Sequence, residues 1–268
     1  MKRRSYFLTS VTTFGYALLY VPILSVVIYS FNASRLVTLW GGFSTRWYAS
    51  LAQNGELLDA ALLSLRIAVV SATLATALGA LVAVALQRVN RLRGRLLLSG
   101  MVTAPLVMPE IITGLSLLFL FISMANLIGW PASRGATTIT IAHVTFSMAY
   151  VVVVVRSRLA TMDESLEEAA MDLGGRPVAV FFDVTVPMLL PALISGWLLA
   201  FALSLDDLVI SSFVSGPGAT TLPMLIFAKV RLGVTPDINA ITTIIIALVA
   251  TAVATAAVIS GRRRPVSA

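Results

Sequence analysis

Cysteine is absent from this sequence of 268 residues, and histidine occurs once, as His143. The absence of cysteine excludes disulfide bonds, thiolate metal sites and cysteine nucleophiles. A single histidine cannot form a multi-histidine metal site, and we expect the His143 side chain to make a buried hydrogen bond between helices. The sequence therefore predicts neither catalytic residues nor a metal site in this chain.

Lysine is almost as rare, since the chain contains only Lys2 and Lys229, which follow Met1 and Ala228. A P-loop requires a lysine directly after glycine, because that lysine reaches the nucleotide phosphates from a glycine-rich turn. The sequence thus contains no Walker-type nucleotide site, and it also lacks the signatures of zinc proteases and serine hydrolases. We expect no cofactor in this chain and no enzymatic activity of its own.

Charged residues are scarce, at 12% of the sequence, whereas hydrophobic residues make up 58%. A soluble domain carries about 25% charged residues, and one core in a chain of this length could not bury so much apolar surface. In a soluble protein the net charge of +7 would favour nucleic acid or an anionic surface as a partner. Here the arginines lie mainly in short segments between apolar runs, which favours a membrane protein without a nucleic-acid partner.

A transmembrane helix requires about 20 mostly apolar residues. The sequence contains such runs at residues 7–31, 60–86, 96–124, 138–155, 190–214 and 238–259. The first run is too long for the apolar core of a signal peptide, so we expect an uncleaved span. Pro105 and Pro109 interrupt the third run and predict a break or a kink. The predicted fold is all-α, with six transmembrane helices in one domain over residues 1–268.

Basic residues are unevenly distributed between the two sets of connecting segments. With the N-terminus inside, thirteen of the nineteen lysines and arginines fall on the inner side and six on the outer side. Positive charge concentrates in cytoplasmic loops, so this distribution places both termini in the cytoplasm.

Two connecting segments are long. The first outer segment, residues 32–59, contains Trp40, Trp47 and Tyr48, which are typical of an aromatic belt or of a helix along the membrane surface. The fourth connection, residues 156–189, is predicted to be cytoplasmic. It contains half of the twelve acidic residues, namely Asp163, Glu164, Glu167, Glu168, Asp172 and Asp183.

This cytoplasmic loop is predicted to form two short helices outside the bilayer. Ser165 and Glu168 fit a capping box, with Asp163 as an alternative N-cap. Four residues at helical spacing form one apolar face, namely Leu166, Ala169, Ala170 and Leu173. The glycines at 174–175 supply a C-cap, and Pro177 can open the second helix. These patterns fit either a solvated linker or a surface that another protein approaches.

A longer motif in the same loop distinguishes these alternatives. The sequence Glu168-Ala169-Ala170, three residues, Gly174, nine residues and Val184-Thr185-Val186-Pro187 resembles the EAA motif of ABC importer permeases, with valines where the family has isoleucine and leucine. The resemblance implies the type I ABC importer permease fold, in which this loop is a coupling helix that docks on a separate ATPase subunit. It assigns that contact to Glu167, Glu168, Ala169, Ala170, Gly174 and Pro187.

Three acidic residues lie within the predicted spans: Glu110 in the third, and Asp206 and Asp207 in the fifth. An ionised carboxylate at mid-bilayer depth costs about 2.5–3.5 kcal/mol, so such residues face a bundle interior or a water-filled path. Adjacent residues are about 100° apart on a helix. We expect Asp206 to line a path and its neighbour to cap or pair. Hydrogen bonds between helices and passage of a cationic solute both remain open.

Longer segments carry a narrower resemblance. Residues 29–51, 104–119 and 201–243 look like the corresponding stretches of spermidine/putrescine importer permeases. Polyamines are cations, so acidic residues on the path fit such a solute. The resemblance implies a multi-pass subunit of a bacterial inner membrane that works with a second permease, two ATPase subunits that bind ATP and magnesium, and a periplasmic solute-binding protein.

Other functions remain as alternatives. The closest alternative is an importer permease for another small solute, because related permeases share much of the pattern. An ion-coupled secondary transporter would need no cytoplasmic docking helix. A membrane-embedded enzyme would need a nucleophile or a ligand cluster beside the buried acids, and a scaffold would move no solute.

Overall fold

The computed structural model describes residues 6–36, 39–89, 93–232 and 236–261. The basic residues at 2–4, Arg91 and those at 262–264, which support the predicted orientation, lie outside the described residues. Within the described ranges the backbone is helical, apart from connecting segments and an isolated β-bridge between Asn32 and Phe43.

The helices of the described residues are α1 (Tyr6–Tyr29), α2 (Arg46–Gln53), α3 (Gly55–Arg88), α4 (Arg95–Val107), α5 (Glu110–Ile128), α6 (Ala136–Leu159), α7 (Ser165–Asp172), α8 (Pro177–Val180), α9 (Val186–Asp206), α10 (Val209–Val214), α11 (Leu222–Leu232) and α12 (Pro236–Gly261). A π-helical turn, Phe181–Thr185, joins α8 to α9.

Six helical segments of the described residues are long and apolar enough to cross a membrane. They are Tyr6–Tyr29, Gly55–Arg88, Glu110–Ile128, Ala136–Leu159, Pro177–Asp206 and Pro236–Thr255. This number confirms the six predicted crossings. The fourth is longer than its apolar run, because the helix continues through Arg156 and Arg158 to Leu159.

The third crossing begins later than the sequence predicts. The run at residues 96–124 is divided into α4 and α5, and the backbone is extended at Met108 (ψ 137°) and Pro109 (ψ 137°). A proline disfavours helical geometry in the residue before it, which ends α4 at Val107. The predicted break is therefore confirmed, but Glu110 lies at the start of a span and not inside one.

The fifth apolar run is also divided, and here the sequence prediction of one continuous helix is wrong. Helix α9 ends at Asp206, Asp207 is extended (ψ 120°), and α10 begins at Val209. The Asp207 carboxylate accepts hydrogen bonds from the backbone N–H groups of Ile210 (3.1 Å) and Ser211 (2.7 Å). A side chain that satisfies the first N–H groups of a helix favours a new helix start at that point.

The described residues divide into two compact units, and one contains those up to Asp59 together with Leu225–Ala252. Its outer segment folds around the buried side chain of Asn32. The Asn32 amide donates to the Leu39 carbonyl (2.7 Å), and its side-chain oxygen accepts from the Gly41 N–H (2.7 Å). Trp47 in α2 donates to the Asn32 carbonyl (2.6 Å). A short helix at Trp47 is thus confirmed, and its position at a membrane surface stays a prediction.

The other unit contains Ala60–Met224 and the described residues from Val253 onward. Its buried cluster comes from α3, α5, α6, α10 and the segment after α10, namely Ile67, Phe121, Ile139, Ala142, Phe146, Ile210, Val214 and Ala219. Glycines bring helices close to α6. A Cβ at Gly79 would lie 2.9 Å from Val151, and one at Gly196 would lie 3.4 Å from the same side chain. Small residues permit such close approach of membrane helices.

Candidate functional site

Helix α7 of the cytoplasmic loop has Glu164 as its N-cap, in place of the predicted Ser165 or the predicted alternative, Asp163. The Asp163 carboxylate accepts a hydrogen bond from the Ser165 N–H (3.0 Å), and no side-chain hydrogen bond caps the helix from Glu164. The expected capping box of Ser165 and Glu168 is therefore wrong, because Ser165 is the first helical residue and not the N-cap. The hydrogen bonds from the backbone and side chain of Ser165 hold the pKa of the exposed Asp163 carboxyl below its usual range.

The C-terminal end of α7 confirms the predicted glycine cap. Gly174 has φ +90°, and its N–H donates to the Met171 carbonyl (2.9 Å). The Gly175 N–H donates to the Ala170 carbonyl (3.0 Å). This pair of hydrogen bonds is a Schellman motif, which requires a residue in the left-handed region. The chain therefore reverses at a fixed point.

The second short helix, α8, begins at Pro177 as predicted, but it is not separate from the next crossing. It continues through the π-helical turn into α9, and the membrane-length segment runs from Pro177 to Asp206. Pro187 lies in the first turn of α9. A proline ring clashes with the carbonyl four residues before it in a regular helix, and we attribute the widened turn to this clash.

The predicted apolar face of α7 lacks a partner within the described residues. Leu173 is 90% exposed, and Leu166 and Ala169 are also exposed, whereas Ala170 is half-buried. Glu168, Gly174 and Pro187 are also exposed. The exposed residues Leu166, Glu168, Ala169 and Leu173 are together called the docking face below.

Glu167 points in a different direction from its neighbour in the motif. Its carboxylate oxygen Oε1 accepts hydrogen bonds from Arg88 Nη2 (3.3 Å) and from Thr185 Oγ1 (2.9 Å). Arg88 also forms a salt bridge with Glu164. From the sequence alone, Arg88 is only one of the basic residues that predict the membrane orientation. Its ion pairs are not predicted, because its partners lie far along the chain and no local pattern pairs them.

The acidic residues of the predicted path lie at helix ends. Glu110 is the exposed first residue of α5, and Asp206 is the exposed last residue of α9. Two exposed carboxylates thus occur beside the two helix breaks of this unit.

Asp207 and His143 form a buried hydrogen-bonded network. His143 is 2% exposed; its Nδ1 lies 2.6 Å from Ser204 Oγ, and its Nε2 lies 3.1 Å from both Asp207 Oδ2 and Ser211 Oγ. Ser71 extends the network by donating to Ser204 Oγ (3.0 Å). The expected buried contact of His143 between helices is confirmed. Asp207 has the capping and pairing partners that the sequence predicts for one of the two adjacent aspartates.

Among the described residues, no group of histidine, cysteine, aspartate and glutamate side chains has the arrangement of a metal site. In the part of the chain that the structure describes, six helical segments are long and apolar enough to cross a membrane, and two of them adjoin breaks with acidic residues. These features define the class of this protein as an α-helical membrane protein with several spans.

Comparison with known proteins identifies the family. Residues 75–263 match the family described as binding-protein-dependent transport system inner membrane component. The chain is 60% identical over 235 residues to the putrescine transport system permease protein PotI of Escherichia coli (strain K12), which covers 88% of this chain and 84% of that protein. This chain therefore belongs to the family of binding-protein-dependent transport system inner membrane components.

A second relative and a solved structure agree with this assignment. The spermidine/putrescine transport system permease protein PotC of Escherichia coli (strain K12) is 43% identical over 233 residues, or 87% of this chain and 86% of that protein. A crystal structure of a bacterial ABC transporter that imports alginate contains a chain with a TM-score of 0.74 at 15% identity, covering 98% of both chains. The fold is thus that of an ABC importer permease.

Proposed function

We propose that this chain is the permease subunit of an ATP-driven importer in a bacterial inner membrane and that it translocates a polyamine, with putrescine as the first candidate. The observation that carries the substrate class is the 60% identity to PotI over 88% of the chain. PotC, at 43%, is named for spermidine and putrescine, which are both polyamines.

Charge supports a cationic solute. The exposed carboxylates of Glu110 and Asp206 lie where α5 begins and α9 ends, each beside a break in helical structure. Irregular backbone between membrane helices occurs where it lines a cavity, and acidic residues at such a break mark cation pathways. In this proposal Glu110 and Asp206 attract the ammonium groups of the solute. The buried Asp207 does not contact the solute in this proposal. Its carboxylate holds the helix break in place through His143 and the start of α10.

In this proposal the ATPase subunit that drives transport contacts the permease at the docking face. Helix α7 ends in a fixed turn and exposes Leu166, Ala169 and Leu173 beside Glu168. We infer that these residues, together with Ala170, Gly174 and Pro187, contact a separate ATPase subunit, which binds ATP and magnesium. Two such ATPase subunits and a second permease complete the membrane complex. Closure of the ATPases moves the short helix and shifts the spans between inward-facing and outward-facing forms, as in alternating access.

A periplasmic solute-binding protein delivers the solute in this proposal. Its contacts fall on the outer segments, which include α2 in the first segment and α11 in the segment at residues 215–237. Residues 233–235 of the second segment lie outside the described residues.

Deletion of residues 168–174 tests the coupling assignment. We expect the shortened protein to insert in the membrane but to lose the ATPase subunit in a pull-down from detergent, because the docking face is removed. A finer variant is Leu173→Asp, which places a charge on the exposed apolar face. The matched control is Asp183→Asn, an exposed site outside that face. Undiminished association of the deletion variant would refute the assignment.

The substrate class is tested with the partner protein. Titration calorimetry on the periplasmic binding protein encoded beside this permease should show binding of putrescine or spermidine. Tight binding of an anion or a sugar, with no response to either polyamine, would instead favour an importer permease for another solute.

A further inference from the structure

Arg88 is the last residue of α3, the second membrane-length helix, and its side chain is only 14% exposed. Arginine at the cytoplasmic end of a span is usually solvated, since its long side chain extends into water. Here the guanidinium instead points toward the loop that carries the docking face.

The guanidinium contacts two carboxylates on consecutive turns of that loop. Nη1 forms a salt bridge with Glu164, which directly precedes α7, and Nη2 lies 3.3 Å from Oε1 of Glu167 within α7. The Glu164 side chain is largely exposed, whereas the Glu167 side chain is only 19% exposed. Of the two ion pairs of Arg88, the one with Glu167 is therefore the less exposed to solvent.

Glu167 also reaches the next membrane helix. Thr185, at 4% exposure, lies in the π-helical turn before α9 and donates to the same Oε1 atom of Glu167 at 2.9 Å. One carboxylate oxygen thus accepts from two donors that belong to two different helical segments. The adjacent motif residue, Glu168, is exposed and belongs to the docking face.

The contacts of Glu167 hold the short helix α7 against the neighbouring helical segments. Helix α7 has eight residues, and the backbone joins it to the neighbouring helices only at its two ends, through the glycine turn at its C-terminal end. Hydrogen bonds that involve a charged group are stronger than neutral ones, and screening is weak for groups that are largely buried. The contacts of Glu167 therefore restrain the rotation of α7 about its ends.

We propose that Arg88 and Glu167 are positioning residues that fasten the coupling helix to α3 and, through Thr185, to the start of α9, so that movement of the docking face is transmitted to both. This inference rests on the proposed function, because it presumes that an ATPase subunit moves α7. It gives Glu167 a role within the chain, distinct from the ATPase contact that the motif resemblance assigns to it.

The first test measures coupling in proteoliposomes that contain the complete transporter. With Arg88→Gln or Glu167→Gln, the ATPase subunit remains bound and hydrolyses ATP, while the number of putrescine molecules imported per ATP falls at least ten-fold. Arg88→Lys, which keeps one charged donor, restores part of the lost ratio. Arg158→Gln, at the exposed end of α6, is the matched control and leaves the ratio unchanged.

The double variant Arg88→Gln with Glu167→Gln tests whether the two residues act as a pair or independently. If the two groups act together, the double variant is no worse than the more impaired single variant. Additive losses, an unchanged ratio in Arg88→Gln, or a parallel fall of hydrolysis and import caused by ATPase detachment would each overturn the proposal.

A second measurement does not depend on transport. The chain has no cysteine, so spin labels can be placed at exposed Leu81 in α3 and exposed Leu173 beyond α7 through two introduced cysteines. The distance distribution between the labels should be narrow in the parent protein and at least two-fold broader with Glu167→Gln. An equally narrow distribution in both would overturn the fastening role. A wild-type complex without ATP-dependent uptake, combined with the broadened distribution, would instead contradict the proposed function and retain the fastening role.

Discussion

Asp206 and Asp207 are neighbours in the sequence, but their side chains occupy different environments. Asp206 ends α9 and is exposed, while Asp207 is buried between His143 and the first N–H groups of α10. The extended backbone at Asp207 turns the two carboxylates apart. The same residue type thus has a structural role at one position, and our proposal gives it a solute-binding role at the other.

This contrast predicts different effects of two substitutions. Asp207→Ala leaves the buried N–H groups of Ile210 and Ser211 without their acceptor, and each such loss costs about 1–3 kcal/mol. We therefore expect a clearly lower melting temperature in detergent. Asp206→Ala should change the free energy of unfolding by less than about 0.5 kcal/mol but should strongly reduce polyamine uptake. Equal melting temperatures for the two variants would contradict this division of roles.

At the scale of the element, glycines determine where helices end and how closely they pack. Gly174 adopts φ +90° to end α7, and Gly79 brings α3 against Val151 of α6. The sequence predicts the first of these positions, because a glycine pair after an apolar face is typical of a C-cap. It does not predict the second, since the contact depends on a helix far along the chain.

The turn after α7 gives a prediction at Gly174. Alanine in the left-handed region costs about 1–2 kcal/mol, so Gly174→Ala should loosen the end of α7 and weaken ATPase association several-fold in a pull-down. Gly100→Ala is the matched control, because Gly100 lies within α4 and a Cβ there meets no atom within 4 Å. An unchanged association with Gly174→Ala would show that the turn does not shape the docking face.

The helix contact gives a prediction at Gly79. A Cβ at this position would lie 2.9 Å from Val151, so Gly79→Ala should lower the free energy of unfolding by about 1–3 kcal/mol through overpacking. A second substitution, Val151→Ala, should recover part of that loss by making space. Thermal unfolding of the single and double variants measures the effect, and Gly15→Ala, in open space, is the control. A double variant less stable than both single variants would contradict the contact.

At the scale of the whole molecule, hydropathy alone is sufficient to predict the number of membrane crossings. The six apolar runs correspond to the six membrane-length segments, and prolines indicate the break before Glu110. Hydropathy does not indicate the break at Asp207, because the apolar run continues on both sides and the break depends on hydrogen bonds to α10. The pairing of Arg88 with Glu167 joins residues 79 positions apart, which no local pattern specifies.

The central claim is that a separate ATPase drives this permease to import a polyamine. The most direct test is uptake of labelled putrescine into proteoliposomes that contain the complete transporter, with the binding protein outside and ATP inside. We predict uptake that requires ATP, persists in the presence of an uncoupler and is lost when residues 168–174 are deleted. Uptake that survives without ATP and collapses with the uncoupler would contradict the account and indicate an ion-coupled transporter.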